Sequence, residues 1–426
     1  MKKNLVRAVL VAGLSVFFAG AALTAAPAAA ANTSKPQVSK AVSRPLSEAQ
    51  KAFTAKDWPT MLAKLKDAQA IANLTDYDQY VINYFMGLAL YNSGDKTGST
   101  PYFLAAAESK SAPPDEQTTA LRIALDLEND AKNYAKVIEL GQQAAKAGPL
   151  ESNVAAIVAI AYYNTNDYAN AKGYAQKSID AVTAAGKTPE RAAYQVVLMV
   201  QNRQKDIPGE TKTLEIMSNL YGESEDWGNL IDVSLSSLPA GSKAREVAAL
   251  FMYRLRLTVG ADTAAADYVL MGDIALGLHY PGDAVNALQK GLDSGKLSQA
   301  KAAGPLAKAN AAARADEGTL ASADAAAAKS ASSNGDISVA EDYFGYGRFA
   351  DAARVAQRAI AKGGAKTTEA QLLLGVAQAQ QGDNAAAVQS LASVKGDGAL
   401  ERAAHLWTLY ATRKYGKPAA AAPTAK

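Results

Sequence analysis

Three stretches of this chain repeat one another. Segment 166–179 opens Asn166-Asp167-Tyr168-Ala169-Asn170-Ala171-Lys172, and segment 347–360 opens Gly347-Arg348-Phe349-Ala350-Asp351-Ala352-Ala353. Small, aromatic and basic residues follow in matching order, with the second segment shifted by one place. Lys132-Asn133-Tyr134-Ala135 begins the same way, and Tyr134 and Tyr168 stand 34 residues apart. A unit of that length is one supersecondary element that buries its apolar side only against its neighbours. The chain is therefore read as an array.

The helix upstream of each such segment also repeats. Met86-Gly87, Met271-Gly272 and Leu374-Gly375 each place a large apolar residue before a glycine inside an apolar run. Twelve residues after Gly272 and Gly375 come Ala284 and Ala387, and Val158-Ala159 keeps that spacing to Ala171. A glycine inside a helix costs about 1 kcal/mol relative to alanine. Its recurrence at matching places predicts a close helix crossing that compensates. Asn92-Ser93-Gly94-Asp95, Asn164-Thr165-Asn166-Asp167, Tyr280-Pro281-Gly282-Asp283 and Gln381-Gly382-Asp383-Asn384 read as tight turns. Each ends in an Asp or Asn expected to cap the next helix.

The 34-residue step, the Leu-Gly-like pairs and the spaced alanines resemble the tetratricopeptide repeat (TPR) family. The resemblance implies an all-α, TPR-like solenoid of about ten helical hairpins in a right-handed superhelix, with no sheet. Hairpins are expected at about 46–73, 76–110, 114–147, 151–185, 189–220, 224–258, 263–294, 297–333, 336–362 and 367–394, with a closing helix near 400–415. Segment 205–262, with Pro208 and Pro239, is irregular and is the expected joint if the array divides into two stacks. The Ala-rich segment 298–333 leaves the register open there.

The ends read differently. Lys2, Lys3 and Arg7 precede an uncharged apolar run at 8–22 and four alanines at 28–31. This is the pattern of a secretory signal peptide over 1–31. An uncleaved anchor is the alternative, although the run is short for a span of roughly 20 residues. Residues 32–45 read as a flexible basic linker, 46–415 as the solenoid, and 416–426 as a disordered Ala/Pro tail. The chain has no cysteine, which excludes lipidation, disulfides and thiolate chemistry. An exported, periplasmic or secreted protein is expected.

The formal charge is +3 from 44 basic and 41 acidic residues. Lys2, Lys3, Arg7, Lys35, Lys40, Arg44, Lys417 and Lys426 belong to the ends. Without these eight, the body holds 36 basic residues against 41 acidic ones. A mildly acidic body is a poor footprint for nucleic acid.

Reactive groups are sparse. His279 sits at a turn and His405 in the last helix, neither with the second ligand that a helical zinc motif requires. Gly363-Gly364-Ala365-Lys366-Thr367 lacks the glycine before lysine that a phosphate loop needs, and reads as a helix cap and turn. Glu223, Glu225 and Asp226 beside Trp227 read as acids at a helix start. No catalytic, cofactor-binding or metal-binding residue is assigned, and no cofactor is expected. A hydrolase is the remote alternative.

In the TPR pattern the binding positions flank the Leu-Gly pair. Carried over, the resemblance implies a groove at Tyr84, Leu88, Tyr91 and Asn92 around Gly87. It adds Arg122, Asp126 and Asn129 in the next repeat, and Asn153, Ile160, Tyr163 and Asn164 around Ala159. Val269, Asp273 and Leu276 follow around Gly272, and Glu369, Leu372 and Gln380 around Gly375. Tyr91, Asn92, Tyr163 and Asn164 fall at equivalent places and would suit a peptide or a sugar chain. The alternative is that each tyrosine closes its helix and each asparagine starts the loop. The resulting expectation is a non-enzymatic periplasmic scaffold or adaptor binding envelope proteins. A glycan-associated protein assisting polysaccharide export or cell-wall synthesis is the second reading.

Overall fold

The computed structural model describes residues 37–148, 150–239, 243–261 and 263–416. Among these are 21 helices and no strand. The expected signal peptide at 1–31 and the tail from 417 onward lie outside the described residues. The chain divides into two compact units between Val200 and Gln201. That division falls inside a helix, just before the irregular stretch 205–262 where a joint was expected.

Unit 1 comprises α1 (Lys40–Thr54), α2 (Trp58–Gln69), α3 (Asp76–Ser93), α4 (Lys96–Ala107), α5 (Pro114–Asp130), α6 (Tyr134–Ala147), α7 (Ser152–Asn164), α8 (Tyr168–Ala184) and most of α9 (Arg191–Gln204). The linker expected over 32–45 does not extend that far. Helix α1 begins at Lys40, with Pro45 inside it. The proline suggested a break, but Val42, Leu46 and Ala49 share one face and are buried. Apolar burial on that face outweighs one lost backbone hydrogen bond.

Eight of the helix pairs turn in the same way. Two residues before the second helix, the backbone is left-handed: at Lys56, Lys132, Asn166, Lys205 and His279, with φ from 55° to 69°, and at Gly94, Gly347 and Gly382. In most pairs the next N–H reaches back to the first helix, as in Asp57 to the Ala52 carbonyl (2.9 Å) and Asp167 to Tyr162 (2.9 Å). In five of the pairs the aspartate at this position caps the second helix. The carboxylates of Asp57, Asp95, Asp167, Asp206 and Asp383 accept from the backbone N–H three residues on. These contacts satisfy orphan groups at both helix ends at once. Three of the four expected turns are capped in this way, although in 381–384 the cap is Asp383 and Asn384 is already helical.

Asp283 is the exception. Its helix begins earlier, at Pro281, and Asp283 is buried within its first turn. Proline at the first position is preorganised for a helix, so the turn ends three residues sooner than its composition suggests.

The crossing glycines behave as their spacing predicts. A methyl at Gly87 would meet the Phe103 ring at 3.0 Å, one at Gly272 would meet Leu288 at 3.2 Å, and one at Gly375 would meet Leu391 at 2.6 Å. In each case the partner stands sixteen residues after the glycine. Ala159 and Ala175, at the same separation, are both fully buried.

Unit 2 runs through α10 (Ile207–Leu220), α11 (Ser224–Ser236), α12 (Lys243–Val259), α13 (Ala265–Gly277), α14 (Pro281–Asp293), α15 (Gln299–Glu317), α16 (Leu320–Lys329), α17 (Asn334–Gly345), α18 (Phe349–Lys362), α19 (Thr367–Gln381), α20 (Asn384–Ala392) and α21 (Gly398–Gly416). Helix α21 is long and returns to the start of the unit, packing on α10, α12, α19 and α20. Trp407 is fully buried, and its indole N–H donates to the Phe251 carbonyl at 2.9 Å. Arg402 donates to Glu215 (2.6 Å) and to the Ser234 hydroxyl. Arg413 donates to the carbonyls of Asn219 and Tyr221, both at 2.9 Å, closing the C-terminal end of α10. Unit 2 thereby closes on itself.

Candidate functional site

The expected groove residues of unit 1 fall into two groups. The amide N–H of Asn92 donates to the Leu88 carbonyl at 2.7 Å, and that of Asn164 to the Ile160 carbonyl at 2.8 Å. Both asparagines thus close the last turn of their own helices. Tyr91 is half-buried with the Lys96 ammonium 5.6 Å from its ring centre, and Tyr163 packs against Tyr168 at 5.7 Å. Asn153 accepts from the neighbouring Val154 N–H at 2.7 Å.

The other residues lie deeper. Tyr84 touches Tyr80, Phe85 and the buried Phe103. Burial pushes its phenol up, while the nearby Arg122 pulls it down. Arg122 is buried and pairs with Asp126 at 3.5 Å. Asn129 is half-buried, and its Oδ1 is a buried acceptor without a donor.

Beside this residue lies a cavity of about 370 Å³ between α4 and the end of α5. Leu104, Leu127 and Pro101 supply its apolar wall, and Lys96, Glu128 and Asp130 its charged edge. Lys96 joins it to Tyr91, and Glu128 and Asp130 bracket Asn129. None of the expected groove residues is itself among those lining the opening; Tyr91 and Asn129 adjoin residues that are. The α7 set, Asn153, Tyr163 and Asn164, has no member among those lining it.

The other residues singled out in the sequence have structural places. His279 is the left-handed residue of the α13–α14 turn. His405 is exposed, with Nε2 3.1 Å from Glu215. Gly363 and Gly364 both have positive φ and end α18. Glu225 and Asp226 occupy the first turn of α11. Among the described residues no group of three or more His, Asp or Glu side chains is arranged to hold a metal ion.

The most unusual electrostatic feature lies in unit 2, and the sequence reading missed it. Arg254 of α12 is 3 % exposed. Its Nε and Nη2 donate to the two oxygens of Asp283, at 2.9 and 2.7 Å, and Nη2 also to Glu341 at 2.6 Å. Phe251 and Phe344 lie against the guanidinium, 4.7 and 4.3 Å from its carbon. Such a planar, bidentate and stacked setting suits arginine and not lysine. Asp342 and Glu369 are buried in the same unit.

Desolvation raises Glu341 to about 7, against the pull of Arg254. Desolvation, helped by Asp316, Glu341 and Asp283, raises Asp342 to about 8. Burial opposes the charge on Arg254, but Asp283 and Glu341 outweigh it and its proton is held more tightly than usual. A signal was present in the sequence. Arg254 interrupts Phe251-Met252-Tyr253 and Leu255, and Glu341-Asp342 stand between Val339-Ala340 and Tyr343-Phe344. Ionisable residues on an apolar face are buried only with partners.

Arg254 and Asp283 also line an open cavity of about 530 Å³ bordered by α12, α13, α14, α17, α18, α19 and α21. Gln380, expected on the groove face, lies here and donates across the unit to the Thr258 hydroxyl at 2.8 Å. Of the other positions expected there, Glu369 and Leu372 are buried, whereas Asp273 is exposed and Val269 and Leu276 are half-buried.

No known family's sequence pattern matches this chain, and no curated protein matches it. Solved structures similar to it include a tetratricopeptide repeat protein from Parabacteroides merdae, 13% identical, with 64% of this chain and 99% of that chain covered and a TM-score of 0.38. Another is the Naa15/Naa10 assembly bound to HypK-THB, 13% identical, with 88% of this chain and 67% of that chain covered and a TM-score of 0.33. A third is the APC/C hetero-tetramer Cut9-Hcn1, 11% identical, with 88% and 69% covered and a TM-score of 0.26. At such scores the likeness carries no argument about function. On its own geometry, the chain is an all-α array of TPR-like helical hairpins.

Proposed function

We propose that this chain is a non-enzymatic scaffold of the cell envelope, exported by its N-terminal segment, whose first unit binds a segment of a partner protein. The opening between α4 and α5 carries the reading. It has an apolar wall with Lys96, Glu128 and Asp130 at its edge; the Tyr91 ring lies 5.6 Å from the Lys96 ammonium, and Asn129, between Glu128 and Asp130 in the chain, holds a buried acceptor without a donor. A buried acceptor without a donor is unfavourable by about 1–3 kcal/mol. A backbone N–H of an incoming segment would satisfy it. A tyrosine and an apolar wall with charges confined to the edge also match the apolar centre and polar rim of protein interfaces.

The test is capture of partners from envelope extracts by the mature chain, followed by quantitative binding of the recovered partner. The double variant Tyr91→Ala/Asn129→Leu should weaken that binding at least about tenfold, which corresponds to 1.4 kcal/mol, with the circular dichroism unchanged. Undiminished binding by a folded double variant would refute the site. Recovery of the chain only in the cytoplasmic fraction would refute the export.

A further inference from the structure

The 530 Å³ cavity of unit 2 lies within the range of small-ligand sites, about 300–1,000 Å³. Its floor is preorganised. Arg254 is fixed by two carboxylates and two rings, and its Nη1 is a buried donor with no acceptor. Its mouth is polar and accessible. Asn286 and Lys290 are exposed, and Gln380, Thr258 and Phe349 are partly so.

The charges select the ligand. An anion entering this cavity would meet Lys290 and Arg254. It would also face Asp283 in the wall, and Arg254 is already paired with Asp283 and Glu341. The Arg254 charge is thus already answered within the wall, and Lys290 is exposed and screened by solvent, so an anion gains little. A free cation would meet Arg254 and Lys290 directly. A neutral molecule rich in hydrogen-bonding groups meets neither penalty.

The hydrogen-bonding groups agree. Asn286 gives an N–H to the Gly345 carbonyl (2.6 Å), Gln380 gives one to Thr258 (2.8 Å), and each keeps its amide oxygen as an acceptor. Lys290 gives one N–H to the Leu257 carbonyl at 2.8 Å and retains two more donors. Donors and acceptors around a common space suit hydroxyl groups, which do both. Phe349, packed on Phe344 at 5.0 Å, adds a ring at the mouth whose negative face suits polarised C–H bonds.

We infer that the closed second unit binds a short neutral saccharide in this cavity, its hydroxyls on Asn286, Gln380 and Lys290 and its C–H face on Phe349. The site stands independently of protein binding by the first unit.

The test uses the full chain and isothermal titration with cellobiose, maltose and diacetylchitobiose. Digalacturonate serves as an anionic control and an acidic hexapeptide as a protein-like one. At least one neutral disaccharide should bind saturably with a Kd tighter than about 1 mM. Phe349→Ala and Asn286→Ala should each weaken it at least about tenfold while the melting curve stays in place. Phe349→Trp should retain binding. Asn286 is exposed, so its variant remains informative if Phe349→Ala unfolds. Absence of saturable binding by all three neutral sugars would overturn the inference. So would binding indifferent to Asn286→Ala, or tighter binding of digalacturonate or the peptide.

Discussion

Asp342→Asn isolates the electrostatics of the second unit. Asp342 is 9 % exposed, and its Oδ1 has no hydrogen-bond partner. Burial is the main cause of its raised value, about 8 against an ordinary 3.8, with like charges on Asp316, Glu341 and Asp283 adding to it. Between those two values the folded chain keeps a proton that the unfolded chain has released. Stability from this group is therefore complete below the ordinary value and falls as the pH rises towards about 8. Each tenfold change in proton affinity is worth about 1.4 kcal/mol, so the group alone removes roughly 2 kcal/mol between about pH 6 and pH 8. For a unit of this size that is roughly 4–8 °C in melting temperature. Asparagine keeps the volume and cannot ionise, so its stability curve should be flatter by that amount. Urea unfolding followed by fluorescence in a Trp58→Phe background reports on unit 2 alone, through Trp227 and Trp407, both buried there. Parallel pH curves for the parent chain and the Asp342→Asn variant would refute the reasoning. Glu341, raised to about 7, should leave a smaller residual slope in the variant.

Two further outcomes test the packing. Gly375→Ala places a methyl 2.6 Å from Leu391 and should destabilise unit 2 by about 1–3 kcal/mol. Gly272→Ala meets Leu288 only at 3.2 Å, and the gain of about 1 kcal/mol in helix propensity should leave it near neutral; chemical denaturation of both, showing equal losses, would contradict the graded contact. Lys132→Gly relieves a left-handed lysine at φ 62° and should stabilise unit 1 by up to about 1 kcal/mol in a thermal melt, and a loss would show that the side chain matters more than the turn.

The hairpins were legible in the sequence because their determinants are local. A glycine meets a residue sixteen positions later, and an aspartate caps an N–H three positions later. Such contacts are set by helix geometry and turn length, which the residues themselves encode. Ten pairs and a last helix among the described residues follow from that periodicity, although Pro45 and Pro281 each shifted a boundary.

What the sequence did not show depends on distant contacts. Arg254 meets residues 29 and 87 positions away, Gln380 reaches Thr258 across 122, and Trp407 reaches Phe251 across 156. No periodicity carries such separations. The packing angles of successive hairpins add up along the chain, and in unit 2 their sum brings α21 back to α10 and α12. The sequence by itself determined an array of helical pairs and the close crossing within them. Only the tertiary structure decided that the second unit closes on itself, which turns a run of buried charges into the floor of a cavity.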